Sequence, residues 1–292
     1  VPRLIAPDAG DAIGLDELVE ALETERWDPR DEDSFAAMGH WLARLGRNRT
    51  FLADLAIEEL ERRFAGQVAN SYNAQVLLLR PPNARHALRA NFWPARDEAV
   101  VQAGGAASFF YDLPHDHNFS FLTVGYLGPG YWSDYYLYDG AARLAGEPAG
   151  LVFEARRRLE EGQVMLYRAH RDVHVQLPPD AFSVTLNVLG HDPAQKWRSQ
   201  YRFDTATDTI AEALTVTPAE ALVTVAARLG GGGGAALAAE MAVRHPAARM
   251  RLTALAAVPA DMLARRAVDD SERVVREGAR RLLAQRAQRA HG

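Results

Sequence analysis

The sequence of 292 residues predicts an α+β protein, mainly β, in which a body of short strands is flanked by two helical segments. Three observations predict it. Residues 1–72 contain "GLDELVEALETERW", "SFAAMGHWLARL" and "RTFLADLAIEELERRF", where apolar residues recur at three and four and Asp or Ser stands near the start, as amphipathic helices require. Residues 73–216 turn to short β-rich runs divided by Gly, Pro and Asp: "AQVLLLRP", "ALRANFWPA", "FSFLTVGYLG", "YWSDYYLYD", "LVFEARRRL", "GQVMLYRA", "VHVQL" and "FSVTLNVLG". Many short strands at such spacing suggest a sandwich or a barrel. Residues 217–292 are Ala-, Leu- and Arg-rich and read again as helices, with the run of five glycines from Gly230 to Gly234 expected to be a flexible or sharply turning linker.

Composition narrows the function classes. About half the residues are apolar (48%) and the net charge is −5, which fits a globular chain and supplies no basic stripe for nucleic acid. There is no cysteine, so thiolate ligands and cysteine nucleophiles are excluded, and any metal must be held by histidine, carboxylate or water. No apolar run approaches the ~20 residues of a membrane span, and no basic region followed by an apolar one opens the sequence. A cytoplasmic protein with neither a membrane nor a nucleic-acid partner is expected.

The chemistry-bearing stretch is "FFYDLPHDHNFSFLTVGYLGPGYWSDYYLYDG", residues 109–140. On an extended chain His115 and His117 point the same way, while Asp116 points the other way, to orient an imidazole or to pair with an arginine. Two imidazoles then converge on one point, and a third ligand must come from elsewhere. "HRDVHVQL" offers His170 and His174; His174 is preferred because it stands at the start of a strand, whereas His170 sits nearer the turn. The plain alternative is a hydrogen-bonded structural cluster of histidines. In "FSVTLNVLG", Ser183, Thr185 and Asn187 share one face opposite Val184, Leu186 and Val188, so that face either looks into a polar interior or at solvent. The tyrosines at 126, 131, 135, 136 and 138 are explained by strand propensity and packing.

"HDHNFSFLTVGYLGPG" followed by "GQVMLYRAHRDVHVQLPPDAFSVTLNVLG" resembles the two metal-binding motifs of the cupin superfamily, in the cysteine-dioxygenase-like subgroup with a His-x-His pair and no carboxylate shortly after it. The resemblance covers roughly residues 73–203. It implies a double-stranded β-helix barrel with a three-histidine site at His115, His117 and His174. It also implies that Arg89, in "HALRANF", stands where the family's arginine binds a substrate carboxylate, the alternative being a solvated strand residue. The histidine and tyrosine that assist catalysis on the family's closing strand are here Asn187 and Leu189, which argues against cysteine as substrate.

Three neutral imidazoles leave a metal its full charge and up to three open positions, which suits iron. The expected function is therefore a non-haem Fe(II)-dependent, 2-oxoglutarate-independent oxygenase acting on a small chelating substrate and O2, with another divalent transition metal as the alternative cofactor. A metal-binding cupin without turnover, serving as sensor or assembly module, and a Zn- or Mn-dependent isomerase or hydrolase are the competing readings. "HPAARMRLTALAAVPADMLARRAVDDSERVVREGARRLLA" resembles one to two HEAT-type helical units, expected to dock on the barrel or on a second copy in a homo-oligomer, with the Arg clusters as solvated faces.

Overall fold

The computed structural model describes residues 1–6, 9–68 and 70–291. The chain divides into two compact units: residues 1–140 with 150–193, and residues 141–149 with 194–292. In the first unit the order is β1 (Arg3–Ile5), α1 (Leu15–Thr24), α2 (Glu32–Ala37), α3 (Gly39–Gly46), α4 (Phe51–Glu61), β2 (Val76–Arg80), β3 (His86–Trp93), α5 (Ala99–Gly104), β4 (Phe121–Leu127), β5 (Tyr131–Leu137), β6 (Val152–Leu159), β7 (Val164–Tyr167), β8 (Asp172–Gln176) and β9 (Ser183–Gly190). The helices start where the sequence supplies acceptors: Asp31 accepts from the Ser34 N–H at 3.0 Å, and the Glu17 carboxylate accepts from the Gly14 N–H at 2.7 Å.

Six strands form one antiparallel sheet in the order β1-β7-β4-β9-β3-β2, and three form a second in the order β6-β5-β8. Strand β9 runs between β3 and β4, with Asn187 opposite both Arg89 and Thr123, and all eight of its residues are buried. Because directly opposed residues share a face, this register sorts the side chains. Leu88, Val188, Leu122 and Leu166 line one face with Ala90, Leu186, Val124 and Val164, and pack against Leu18, Leu22, Leu42 and Leu45 of the helices. The helical segment is thus the cover of the larger sheet. Its approach is close at Gly46, where a Cβ would stand 3.2 Å from a Val124 methyl.

The opposite face of the six-stranded sheet meets the three-stranded one in a second core, which joins Trp93, Phe121, Met165, Tyr167 and Leu189 to Tyr131, Tyr135 and Leu159. Ser183, Thr185 and Asn187 point into this interior and are 1–3% exposed, so their face is a polar lining rather than a solvent face.

The second unit holds the antiparallel pair β10 (Tyr201–Asp204) and β11 (Thr209–Ala213), then α6 (Pro218–Leu229), α7 (Gly231–Arg244), α8 (Ala248–Leu255), α9 (Ala260–Asp269) and α10 (Arg273–His291). The glycine run lies between two helices, where Gly230 caps α6 and Gly231, with φ 55°, makes the sharp turn into α7. Gly231–Gly234 form the first turn of α7, and a Cβ on Gly234 would stand 1.8 Å from the Ala226 carbonyl oxygen, so glycine lets α7 lie against α6. Nor are all the arginines solvated: Arg251, 7% exposed, pairs with the buried carboxylate of Asp270 at 2.9 Å, and Arg266 reaches the same carboxylate.

Candidate metal centre

Three backbone decisions bring the histidines together. The segment before β4 is extended but outside the regular strands. There His115 exchanges both backbone hydrogen bonds with His174, its N–H donating to the His174 carbonyl at 3.1 Å and its carbonyl accepting from the His174 N–H at 3.0 Å. His174 sits in the middle of β8, two residues later than a strand start. His117 follows at the two-residue spacing, and its carbonyl is held by the His170 N–H at 2.7 Å. Of the two later histidines, His174 is the one that lies with His115 and His117. His170 lies in the β7–β8 turn with φ 59°, its Nδ1 3.5 Å from the carboxylate of Asp116, and takes no part in the triad.

The ligand atoms of His115, His117 and His174 all lie within 4.8 Å of one another. His174 Nε2 is 3.1 Å from His117 Nε2 and 3.2 Å from His115 Nε2. His115 and His174 are 2% and 1% exposed, and His117 is partly buried. Burial holds all three imidazoles below the ordinary histidine pKa, with the charge of His115 lowering both others and that of Arg89 adding to the effect at His117. They are neutral at neutral pH, the state in which imidazole binds metals. His115 Nδ1 donates to the Leu113 carbonyl at 2.8 Å, which leaves its Nε2 lone pair facing inward.

A divalent metal fits this donor set. With bonds of about 2.0–2.1 Å, two nitrogens on one metal stand about 3.0 Å apart at a right angle and about 3.4 Å apart at a tetrahedral one, and the two measured edges fall between. One His174 nitrogen, able to carry a single proton, faces the Nε2 atoms of both other imidazoles. A cation satisfies such a concentration of lone pairs better than any arrangement of protons.

The lining around the triad contains residues that the sequence reading did not assign. Tyr135 lies opposite His174 in register, and its hydroxyl is 2.8 Å from that of Tyr167, whose ring centroid is 4.9 Å from the His174 ring. Burial raises the pKa of both tyrosines, so both are neutral donors. Phe119 and Phe121 flank His117 with ring centroids at 5.0 and 4.9 Å. Arg89, Asn187, Thr123 and Met165 form one row across the larger sheet. The Arg89 guanidinium lies 5.0 Å from the Tyr72 ring, with its Nε buried and without a hydrogen-bond partner. Asn187 donates to Asn91 Oδ1 at 3.2 Å. Period-two spacing in Tyr131-Trp132-Ser133-Asp134-Tyr135 was the available signal that Tyr131, Ser133 and Tyr135 share the inner face.

No family model and no curated protein matches the chain. Solved structures similar in part include a study of the DMSP lyases RdDddP and RnDddQII at 13% identity and TM-score 0.22, over 36% of this chain and 38% of that one. Hydroquinone 1,2-dioxygenase PnpCD, solved with Cd2+ and 4-hydroxybenzonitrile, matches at 13% identity and TM-score 0.27 over 44% and 71%. DMSP lyase DddQ from Ruegeria pomeroyi matches at 15% identity and TM-score 0.28 over 65% and 79%. The chain therefore spans well under half the length of the first of these. Among the described residues no helix is long and apolar enough to cross a membrane. What the fold brings together is a buried three-histidine group between two antiparallel sheets, able to hold a divalent metal.

Proposed function

We propose that the chain is a cupin-type, Fe(II)-dependent oxygenase of the three-histidine kind, which acts on a small chelating substrate with O2 and needs no 2-oxoglutarate. The observation that carries the reading is the convergence of three neutral imidazoles, without a carboxylate in the set, at the wall of an interior lined by polar and aromatic side chains. The strand order supports a double-stranded barrel. With the His115–His117 segment counted beside β8, each step from that segment to β9 crosses between the two sheets except the β5–β6 hairpin, a path compatible with a jelly roll. When bound, iron would supply open positions for substrate and oxygen. The chain's own residues do the rest: His115, His117 and His174 hold the ion, Arg89 anchors an anionic group of the substrate, and Asn187 and Thr123 in the same row give hydrogen bonds to orient it. The aromatic lining excludes water from the reacting groups. The helices α6–α10 are read as HEAT-like pairs that serve assembly.

The neutral hydroxyl pair of Tyr135 and Tyr167 favours a second reading, proton transfer at a metal-bound substrate without oxygen, as in a Zn- or Mn-dependent lyase, isomerase or hydrolase. Oxygen uptake separates the two. Iron-loaded protein is screened against thiols, amino acids, diketones and aromatic diols, with and without 2-oxoglutarate. Uptake that is stoichiometric with one substrate class and indifferent to 2-oxoglutarate is expected; uptake that requires 2-oxoglutarate, or turnover without uptake, overturns the oxygenase assignment.

A further inference from the structure

The metal reading leaves one neighbour of the triad unexplained. Gln176 lies two residues after His174 on β8, so its side chain projects from the same face, and it is 5% exposed. Its backbone is fixed on both sides, paired in register with Ser133 on β5 and accepting from the Asp112 N–H at 2.9 Å. The carboxamide nitrogen stands 3.2 Å from His174 Nε2, while the carboxamide oxygen is buried without a hydrogen-bond partner.

Building on the metal reading, we infer that the Gln176 carboxamide oxygen is a fourth protein ligand, making the centre three histidines and one amide. The end of the Gln176 side chain already stands at ligand-to-ligand spacing from His174: 3.2 Å, like the two histidine edges of 3.1 and 3.2 Å. As placed, an N–H donor faces the nitrogen lone pair that a metal would use, and a cation at the centre would repel it. Rotating the amide by half a turn, which changes no shape because its O and NH2 are nearly isosteric, puts the oxygen toward the ion. The rotation gives the buried carboxamide oxygen, which otherwise has no hydrogen-bond partner, the ion as its partner. An amide oxygen adds no charge, so the ion keeps its full positive charge, and two of six positions rather than three remain for substrate and oxygen.

The test uses the full chain, purified without metal and titrated with Co2+ in the absence of any substrate, with visible absorption and calorimetry as readouts. Wild type, Gln176→Leu, Gln176→Asn and Gln176→Glu are compared, with His174→Ala as the control that loses the ion. Gln176→Leu and Gln176→Asn, whose amide is one methylene too short, are expected to weaken Co2+ binding by about 10–100-fold, the range seen when groups supporting a metal site are removed. They are also expected to shift its d–d absorption bands. Gln176→Glu is expected to bind more tightly than wild type. Unchanged spectrum and affinity in both Gln176→Leu and Gln176→Asn would refute the fourth ligand while leaving the three-histidine centre standing. Failure of wild type to bind Co2+ overturns both, and circular dichroism on each variant shows whether a loss reflects misfolding.

Discussion

Replacing His117 by leucine should reverse the stability order of wild type and variant according to whether metal is present. In the metal-free protein His117 Nδ1 is buried without a hydrogen-bond partner, and such an atom costs about 1–3 kcal/mol. Its Nε2 contact with His174 at 3.1 Å returns about 0.5–1.5 kcal/mol. Leucine removes both, and it sits beside Phe119 and Phe121, whose rings lie 5.0 and 4.9 Å from the imidazole. The net expectation is a metal-free variant about 1 kcal/mol more stable than metal-free wild type, or about 2–4 °C in Tm for a unit of this size. Metal at a thousand times its Kd stabilises wild type by about 4 kcal/mol, and the variant, with its ligand set broken, by far less. Thermal melts of both proteins in chelator and in excess Fe(II) or Co2+, anaerobically, give the four numbers. Equal upward shifts of the two proteins on adding metal would refute the ligand assignment, and a metal-free variant several degrees below wild type would refute the cost assigned to the orphan nitrogen.

Thr185→Val should cost about 1–3 kcal/mol, because Trp93 Nε1 now donates to the Thr185 hydroxyl at 3.0 Å and would be buried without a partner; in a double-mutant cycle by urea unfolding, Trp93→Phe should remove most of that penalty. Arg89→Gln should raise KM for the identified substrate with a much smaller effect on kcat, as expected of an anchor; equal loss in both would place Arg89 in the reaction step itself. Burial lowers the pKa of His86, with Glu23 offsetting it only in part. The unfolded chain therefore takes up this proton first, so that stability is unaffected above about pH 6.5 and falls as pH drops from there toward the lowered folded value, by at most about 1.4 kcal/mol per pH unit. His86→Asn should flatten that slope in urea midpoints measured between pH 7.5 and 5.5. Gly234→Ala should destabilise the α6–α7 pair, since its Cβ would overlap the Ala226 carbonyl; an unchanged melting profile would show that α7 can slide.

Alternation made much of this protein readable. Ser183, Thr185 and Asn187 against Val184, Leu186 and Val188 specify a strand with two different faces, and the structure uses one face for the helices and the other for the interior. His115 and His117 were legible by the same rule, though the segment holding them is an extended connection bridged to β8 rather than a strand of its own. Which way an alternating strand faces depends on pairing partners far away in sequence, which no local pattern reports. For that reason Tyr135 and Tyr167 went unassigned, since each becomes a neighbour of His174 only through register or through contact between the sheets, whereas Gln176, two residues after His174 on β8, was within reach of the alternation rule and was passed over. The five glycines were legible as a sharp turn, which stands at Gly230–Gly231, but the need for glycine at Gly234 comes from the carbonyl of a neighbouring helix, which no local pattern reports.

Strand β9 divides its labour by residue parity. Substitutions at 184, 186 and 188 act on the contact with α1–α4, while those at 183, 185 and 187 act on the lining of the interior, and the backbone between them is held by β3 and β4 on either side. The interior lining can therefore be altered at 187 without touching the helix contact, whereas Thr185, which accepts from Trp93 Nε1, and Ser183, which accepts from the Gly130 N–H, are held by the interior itself.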